Sequence, residues 1–483
     1  MSVQAMRGTV MRVLMTHGFL ILCIAVFANS VSGLDEANGV KDEIAASIDA
    51  KQAEYAHMAK EIWGFAELAF SEVKSSSLLQ SKLEKEGFTV EAGVAELETA
   101  FVANYGKGKP IIGILAEFDA LPGLSQDAVP ERKPLVKNGP GHGCGHNLFG
   151  TGSVAAAVAV KDWLARSGNS GTIRLYGTPA EEQGAGKVYM ARAGLFDDVD
   201  VILHWHPYDR NHASPIITTA VIEAKFRFYG TSSHAAEAPE RGRSALDGVE
   251  AMNYMANLMR EHVPSDSRIH YVVTRGGGAP NVVPDFAEVH YFVRHRRTEV
   301  LKDIWSRIVN AAEGAARGTE TRVEHEILGG MHGVLINEAL ARLMDKNLRL
   351  VGGVTYTAQE RAFAEAISKT LGEDRKSLSM AAEIQPYEPL NVMGSSDIGD
   401  VSMIAPTAGV ETAAWVPGTG FHTWQAVAAS GMSIGTKGMI VAAKVMAFTA
   451  VDVFTSPSIV KQARDELIKK RGADFKYRPL SSW

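Results

Sequence analysis

The sequence predicts an α/β protein: a mostly parallel sheet flanked by helices, with an inserted ferredoxin-like βαββαβ unit. Three observations carry this. Up to about residue 220, short apolar strands alternate with helical segments, which is how parallel sheets read. Between Val221 and Leu328 the order changes to βαββαβ, with period-two strands. Acid, thiol and imidazole groups follow the early strands, where open α/β sheets place their sites. The expected boundaries are 1–33 for a leader, 34–220 and 331–483 for one domain in two parts, and 221–330 for the insertion.

The chain has 483 residues, 46% hydrophobic and 22% charged, which suits a soluble protein of two or three domains. The net charge of −6 and the lack of a basic run argue against a nucleic-acid partner. Arg7 and Arg12 precede an apolar run, Val13 to Phe27, and small residues from Ala28 to Gly33. That is the order of a signal peptide, and the run is short of the roughly 20 residues needed to span a bilayer. A secreted or periplasmic protein without a membrane span is therefore expected. Cys23 and Cys144 are the only cysteines. Loss of the leader leaves Cys144 without a disulfide partner, and metal ligation is one explanation for a lone exported thiol.

In chain order, Asp42–Glu67 reads as an amphipathic helix from Tyr55, Met58, Ala59 and Ile62, and about Ser75–Glu86 as a second, capped by Gly87. Strands are expected at Thr99–Tyr105, Ile111–Leu115, Thr172–Thr178 and Val199–Leu203, with a helix at Gly186–Ala193. In the insertion, strands at Val221–Tyr229, Arg268–Thr274, Phe286–Arg294 and Thr321–Ile327 alternate with helices at Ser244–Arg260 and Glu299–Ala316. Helices follow at Asn337–Leu350 and Thr357–Leu371, then a strand near Thr412–Val416 and a long helix from Ile434 to Phe454. Residues 354–393 suggest no role.

The stretch from Gly139 to Asn147 organises the chemistry. Its glycines let the backbone turn tightly and aim Cys144 and His146 at one point. A thiolate and an imidazole are a metal-ligand pairing. With Glu182, His206 and His422 there are five candidate ligands, more than the four one zinc ion needs. They suit two metals with a shared bridge, about 3.5–4 Å apart, which activate water and polarise a carbonyl. Adjacent Glu181 and Glu182 in a turn point apart, so one can hold metal and the other can face the water as general base.

Together GHGCGHN, PAEE, WHP, GTSSHAA, PNVVPD, SSDIGDVS and GFHTWQ resemble the di-metal amidohydrolase and aminoacylase family that includes carboxypeptidase G. The likeness runs from about Ile44 to Phe454, and the branch resembles the B subunits of p-aminobenzoyl-glutamate hydrolase. It implies a zinc-peptidase-like catalytic domain with an inserted dimerisation or lid domain. It implies Cys144, His146, Glu182, His206 and His422 as ligands of two divalent ions, zinc or manganese, and Glu181 as catalytic acid/base. His234 would reach the partner subunit's site and steady the oxyanion. Asn281 and Arg294 would bind the substrate carboxylate, and Asp119 would support a ligand without touching metal. The implied activity is cleavage of an N-acyl or N-aroyl amino acid by a homodimer, with a homologous second subunit an open possibility. Asn147 stands where many relatives carry aspartate, and Glu117 where distant relatives carry a histidine ligand.

Competing readings remain. His204 is an alternative to His206, although the WHP motif favours His206. Cys144 with His142 or His146 could form a thiol-protease pair, which would leave Glu181, Glu182, His206 and His422 idle. Gly184 to Lys187 hints at a phosphate loop but lacks the full spacing. Singly, His206, His234 and Arg294 could be a strand-end histidine, a loop cap and a solvated strand residue. A dipeptidase, a general aminoacylase or a non-catalytic binding protein on the same fold are the other functions to weigh.

Overall fold

A computed structural model describes residues 39–482, so the leader expected over 1–33 lies outside the described residues. The first helical stretch is two helices, residues 39–50 and Gln52–Phe65, broken at Lys51. The pattern from Tyr55 to Ile62 falls in the second, whose inner face is buried. A helix at Val73–Lys85 follows, close to expectation.

The larger sheet holds β1 (Thr89–Ala92), β2 (Phe101–Lys107), β3 (Ile111–Ala116), β4 (Gly171–Gly177), β5 (Val201–Tyr208) and a late strand, Thr407–Ala413. The order is β1, β2, β4, β3, β5 and the late strand. β4, β3, β5 and the late strand run parallel, whereas β2 is antiparallel to β4. Helices His146–Ser167 and Ser433–Thr455 are almost wholly buried against this sheet. The latter is mostly apolar because it is a core helix, with Lys437, Lys444 and Asp452 each paired at its margins.

Short β6 (Ile216–Ile217) leads to the second sheet: β7 (Ala220–Tyr229), β8 (Arg268–Arg275), β9 (Phe286–His295) and β10 (Arg322–Met331). Its order, β10-β7-β9-β8, is antiparallel throughout, the pairing a βαββαβ unit produces. Helices Ala245–Met259 and Thr298–Gly318 cover one face, and Ala287, Val289, Tyr291 and Val293 alternate into their core.

Three expectations need correction. β5 runs on through His204 and His206 to Tyr208, so both histidines lie on the strand and not beyond it. The late strand, β12, spans Thr407–Ala413 instead of Thr412–Val416, after a two-residue β11 (Leu390–Asn391) that pairs with β6. Its Ala and Gly residues give little strand signal, and pairing with β5 decides it. Gly409 is needed there because a Cβ would collide with the His204 ring. A further helix, Pro457–Arg471, was not expected, since its apolar face is narrow.

The chain after that helix straps the two sheets together. Tyr477 donates its hydroxyl to buried Asp400 at 2.8 Å, beside a smaller core on the larger sheet. Leu480 is fully buried in the core of the second sheet, packed on Gly330 of β10. Residues 354–393 also gain a place: Asn211 Nδ2 bonds the carbonyls of Ala381 and Glu383 at 2.8 and 3.1 Å.

Candidate metal centre

The Gly139–Asn147 stretch turns into the helix His146–Ser167 at Gly145, whose φ is +69°. A side chain there would be strained, and its Cβ would press on Pro207 of β5. Cys144 thus sits just before the helix and His146 at its first residue, both buried. Asn147 is structural: its amide donates to the carbonyls of Ala59 and Ser430, both at 3.1 Å. A carboxylate could not make those two bonds.

β5 delivers His206, whose Nδ1 lies 2.7 Å from the Pro207 carbonyl. Glu181 and Glu182 lie in the turn after β4. That turn passes through Ala180 with φ +61°, and its amide is held by buried Glu72 at 2.8 Å. His422 follows β12, also in the left-handed region at φ +58°, with its amide bonded to the Gly143 carbonyl at 3.1 Å. A non-glycine residue held there stores strain, a recurrent feature of functional sites.

Three groups of donors result, each with its atoms within 4.8 Å of one another: Cys144, His146 and His206; Cys144, Glu182 and His422; Glu117, His146 and Glu181. Cys144 is common to the first two. The five expected ligands come together, with Glu181 beside them. Asp119 is fully buried and makes two bonds that orient neighbours. Its Oδ1 is 2.8 Å from His146 Nδ1, and its Oδ2 accepts from the Glu182 amide at 2.9 Å.

The electrostatics call for a cation. Glu117, Asp119, Glu181, Glu182 and Asp397 crowd a region whose permanent cation is Lys187. Burial, with Glu117 and Glu182 nearby, pushes the Glu181 carboxyl far above its ordinary range. Burial also opposes charge on Glu182, but the His422 hydrogen bond and the His146 charge outweigh it and hold the carboxyl low. Burial pushes the Cys144 thiol up, reinforced by Glu182, so the protein alone does not activate it as a nucleophile. Burial and His146 lower His206 to about 4, which keeps the imidazole neutral and its lone pair free. Glu182 Oε1 and His146 Nε2 are buried without hydrogen-bond partners, and His146 Nε2 faces Glu117 Oε2 at 3.1 Å. Those orphaned atoms and the thiol–imidazole–carboxylate set fit divalent metal.

His204 joins none of the three groups; its ring lies over Gly409. His142 is taken by the Ile62 carbonyl, 3.0 Å from Nε2, so it is not a partner for the thiol. His234 is exposed on the second sheet and also joins no group. Its Nδ1 accepts the amides of Ala236 and Glu237 at 3.2 Å, leaving Nε2 as the donor. Asn281 is exposed on the facing loop, its carbonyl bonded to the Ala235 amide at 3.0 Å. A cavity of about 580 Å³ lies between these loops, lined by Ala235, Gly277, Pro280 and Val282. Arg294 of β9 donates to Ser395 at 2.8 Å, at the junction of the two sheets, so it is more than a solvated strand residue.

Peptidase family M20/M25/M40 matches this chain over residues 113–423. The chain belongs to that family. The p-aminobenzoyl-glutamate hydrolase B subunit of Escherichia coli (strain K12) is 40% identical, covering 87% of this chain and 93% of its own. The Xaa-Arg dipeptidase of Homo sapiens is 27% identical, over 91% and 95%. A solved dinuclear metal binding peptidase of the M20 family from Bacillus subtilis shares the fold, with a TM-score of 0.60 at 19% identity, covering 84% of this chain and 99% of its own. This peptidase-family member is a metal-dependent amide hydrolase, as its motifs imply.

The M20-type centre here has supports that pattern reading missed. Lys187, the residue that suggested a phosphate loop, is fully buried between Glu117 at 2.7 Å and Asp397 at 2.6 Å. Asp397 also caps the Lys187 amide at 2.9 Å. Glu72, at a helix start with no motif around it, holds the turn that carries Glu181 and Glu182. The Ser395-Ser396-Asp397 motif was visible, but its lysine partner lies 210 residues away in sequence.

Proposed function

We propose that the protein hydrolyses the amide bond of N-acyl or N-aroyl amino acids, such as p-aminobenzoyl-glutamate, using two zinc or manganese ions. The observation that carries this reading is the pair of donor groups sharing Cys144, with half-buried Glu181 beside them. Cys144, His146 and His206 would hold one ion, and Cys144, Glu182 and His422 the other. The ions would supply Lewis acidity to a water and to the amide carbonyl. Glu181 takes the proton of the attacking water and passes it to the leaving amine. His234 donates Nε2–H to the oxyanion, and Asn281 and Arg294 bind the substrate carboxylate.

His234 would act across a homodimer. β8 is an open edge, since β10 at the other edge is covered by the C-terminal turn. Beside it Tyr254, Leu258 and Val272 are 67%, 56% and 57% exposed, an apolar surface suited to a second copy. The subunit designation of the Escherichia coli relative makes a homologous second subunit worth testing alongside. Export to the periplasm or outside remains the reading of the N-terminus.

The decisive experiment is turnover by the purified protein, with metal analysis. The panel is p-aminobenzoyl-glutamate, N-acetylglutamate and Xaa-Arg dipeptides, before and after chelation. Metal-dependent release of p-aminobenzoate supports the proposal. Preferential cleavage of the dipeptides would favour the second reading, which rests on the likeness to the Xaa-Arg dipeptidase. A metal-loaded protein inert on the whole panel would point to a non-catalytic homologue.

A further inference from the structure

We propose that Phe421 is a specificity-determining residue, its ring forming the wall of the acyl subsite and selecting planar aromatic acyl groups over alkanoyl ones. The inference rests on the acyl-amino-acid reading above and deepens it.

Phe421 immediately precedes His422 of the second donor group, and its centroid is 5.4 Å from that of His206 in the first. Tyr208 stacks on it at 5.0 Å and 22°, and Trp415 meets it edge-on at 5.2 Å and 82°. Both neighbours are themselves fixed. Trp415 is fully buried and its Nε1 donates to Ser430 Oγ at 3.0 Å. Tyr208 lies under the Arg210 guanidinium at 5.1 Å, which is paired with Asp209 at 2.6 Å.

A ring so constrained would ordinarily be core, yet Phe421 is 41% exposed. Orienting His206 does not account for this, because the Pro207 carbonyl already engages Nδ1. What remains is a rigid aromatic surface beside both donor groups, part of it open to solvent and free to take a bound acyl group. Its preorganisation keeps the entropy cost of stacking low. A flat ring stacks on such a surface, whereas an acetyl group covers little of it.

The test compares kcat/KM for p-aminobenzoyl-glutamate and N-acetylglutamate in the metal-loaded wild type, Phe421→Leu and Phe421→Trp. Leucine keeps apolar bulk but removes the π face. The aroyl-to-acetyl ratio should fall about threefold to tenfold in Phe421→Leu, the range expected for one aromatic pair, and should be kept in Phe421→Trp. Metal content should match the wild type. If Phe421→Leu fails to fold, the ratio is read in Tyr208→Leu, which unseats the same ring. An unchanged ratio with both substrates turned over would overturn this inference alone. A wild type inert on both would overturn the functional proposal with it.

Discussion

Lys187 Nζ lies 2.6 Å from Asp397 Oδ1, and both side chains are fully buried. Glu117 closes the triad at 2.7 Å. Removing the ammonium strands two carboxylates in a dry site. Breaking a buried pair in this way typically costs about 3–5 kcal/mol. Lys187→Met should therefore lose about that much stability in urea unfolding, with a lower midpoint. A midpoint equal to wild type would mean the triad is not held together by charge.

Glu181→Gln keeps size and hydrogen bonding but removes the base. The rate should fall by about 10²–10⁴-fold, with metal content normal. Lost metal at an unchanged rate per bound ion would mean that Glu181 and Glu182 have exchanged roles.

Cys144 belongs to both donor groups, His206 to one. Elemental analysis should then find both ions depleted in Cys144→Ala, and one retained in His206→Ala. Alkylation of Cys144 should be slow with metal and faster after chelation. Rapid alkylation of an active, chelator-resistant protein would restore the thiol-nucleophile reading.

Asp400, bonded to Tyr477 of the C-terminal strap, has its carboxyl pushed up to about 8 by burial, against 3.8 ordinarily. Between those values the folded state holds a proton that the unfolded state has released. Stability should then fall as pH rises from about 4 to about 8, by at most about 1.4 kcal/mol per unit from this group. Asp400→Asn should flatten that slope in unfolding curves across the range. An identical slope in both proteins would remove Asp400 as its source.

Mixing His234→Ala with Glu181→Gln tests the dimer. If His234 acts in trans, a mixed dimer has one intact site and some activity returns. His234→Ala alone should lose about 2.7–4 kcal/mol of transition-state stabilisation, the worth of one donor in a comparable hole. No recovery despite proven subunit exchange, or an active monomer, would place His234 in cis or outside the reaction.

The sequence by itself determined the two-sheet plan and the donor set that meets at the candidate centre. Strand periodicity records which face is buried, so β7 to β10 and their helices were legible with small shifts at the ends. Cys144, His146, Glu182, His206 and His422 were legible as donors because metal binding uses particular side chains, and their motifs lie on the last part of a strand, at a helix start and in turns. Tertiary structure alone decided where β12 lies, because an Ala- and Gly-rich segment becomes a strand only when β5 offers its edge. It alone paired Lys187 with Asp397 across 210 residues, and set Glu72 under the turn that carries Glu181 and Glu182. It also buried Leu480 in a core built mostly from residues far earlier in the chain. Local pattern reports what a segment must bury or expose. Ion pairs, orphaned polar atoms and a half-exposed ring such as Phe421 depend on which distant segments meet, and chain closure fixes that only in three dimensions.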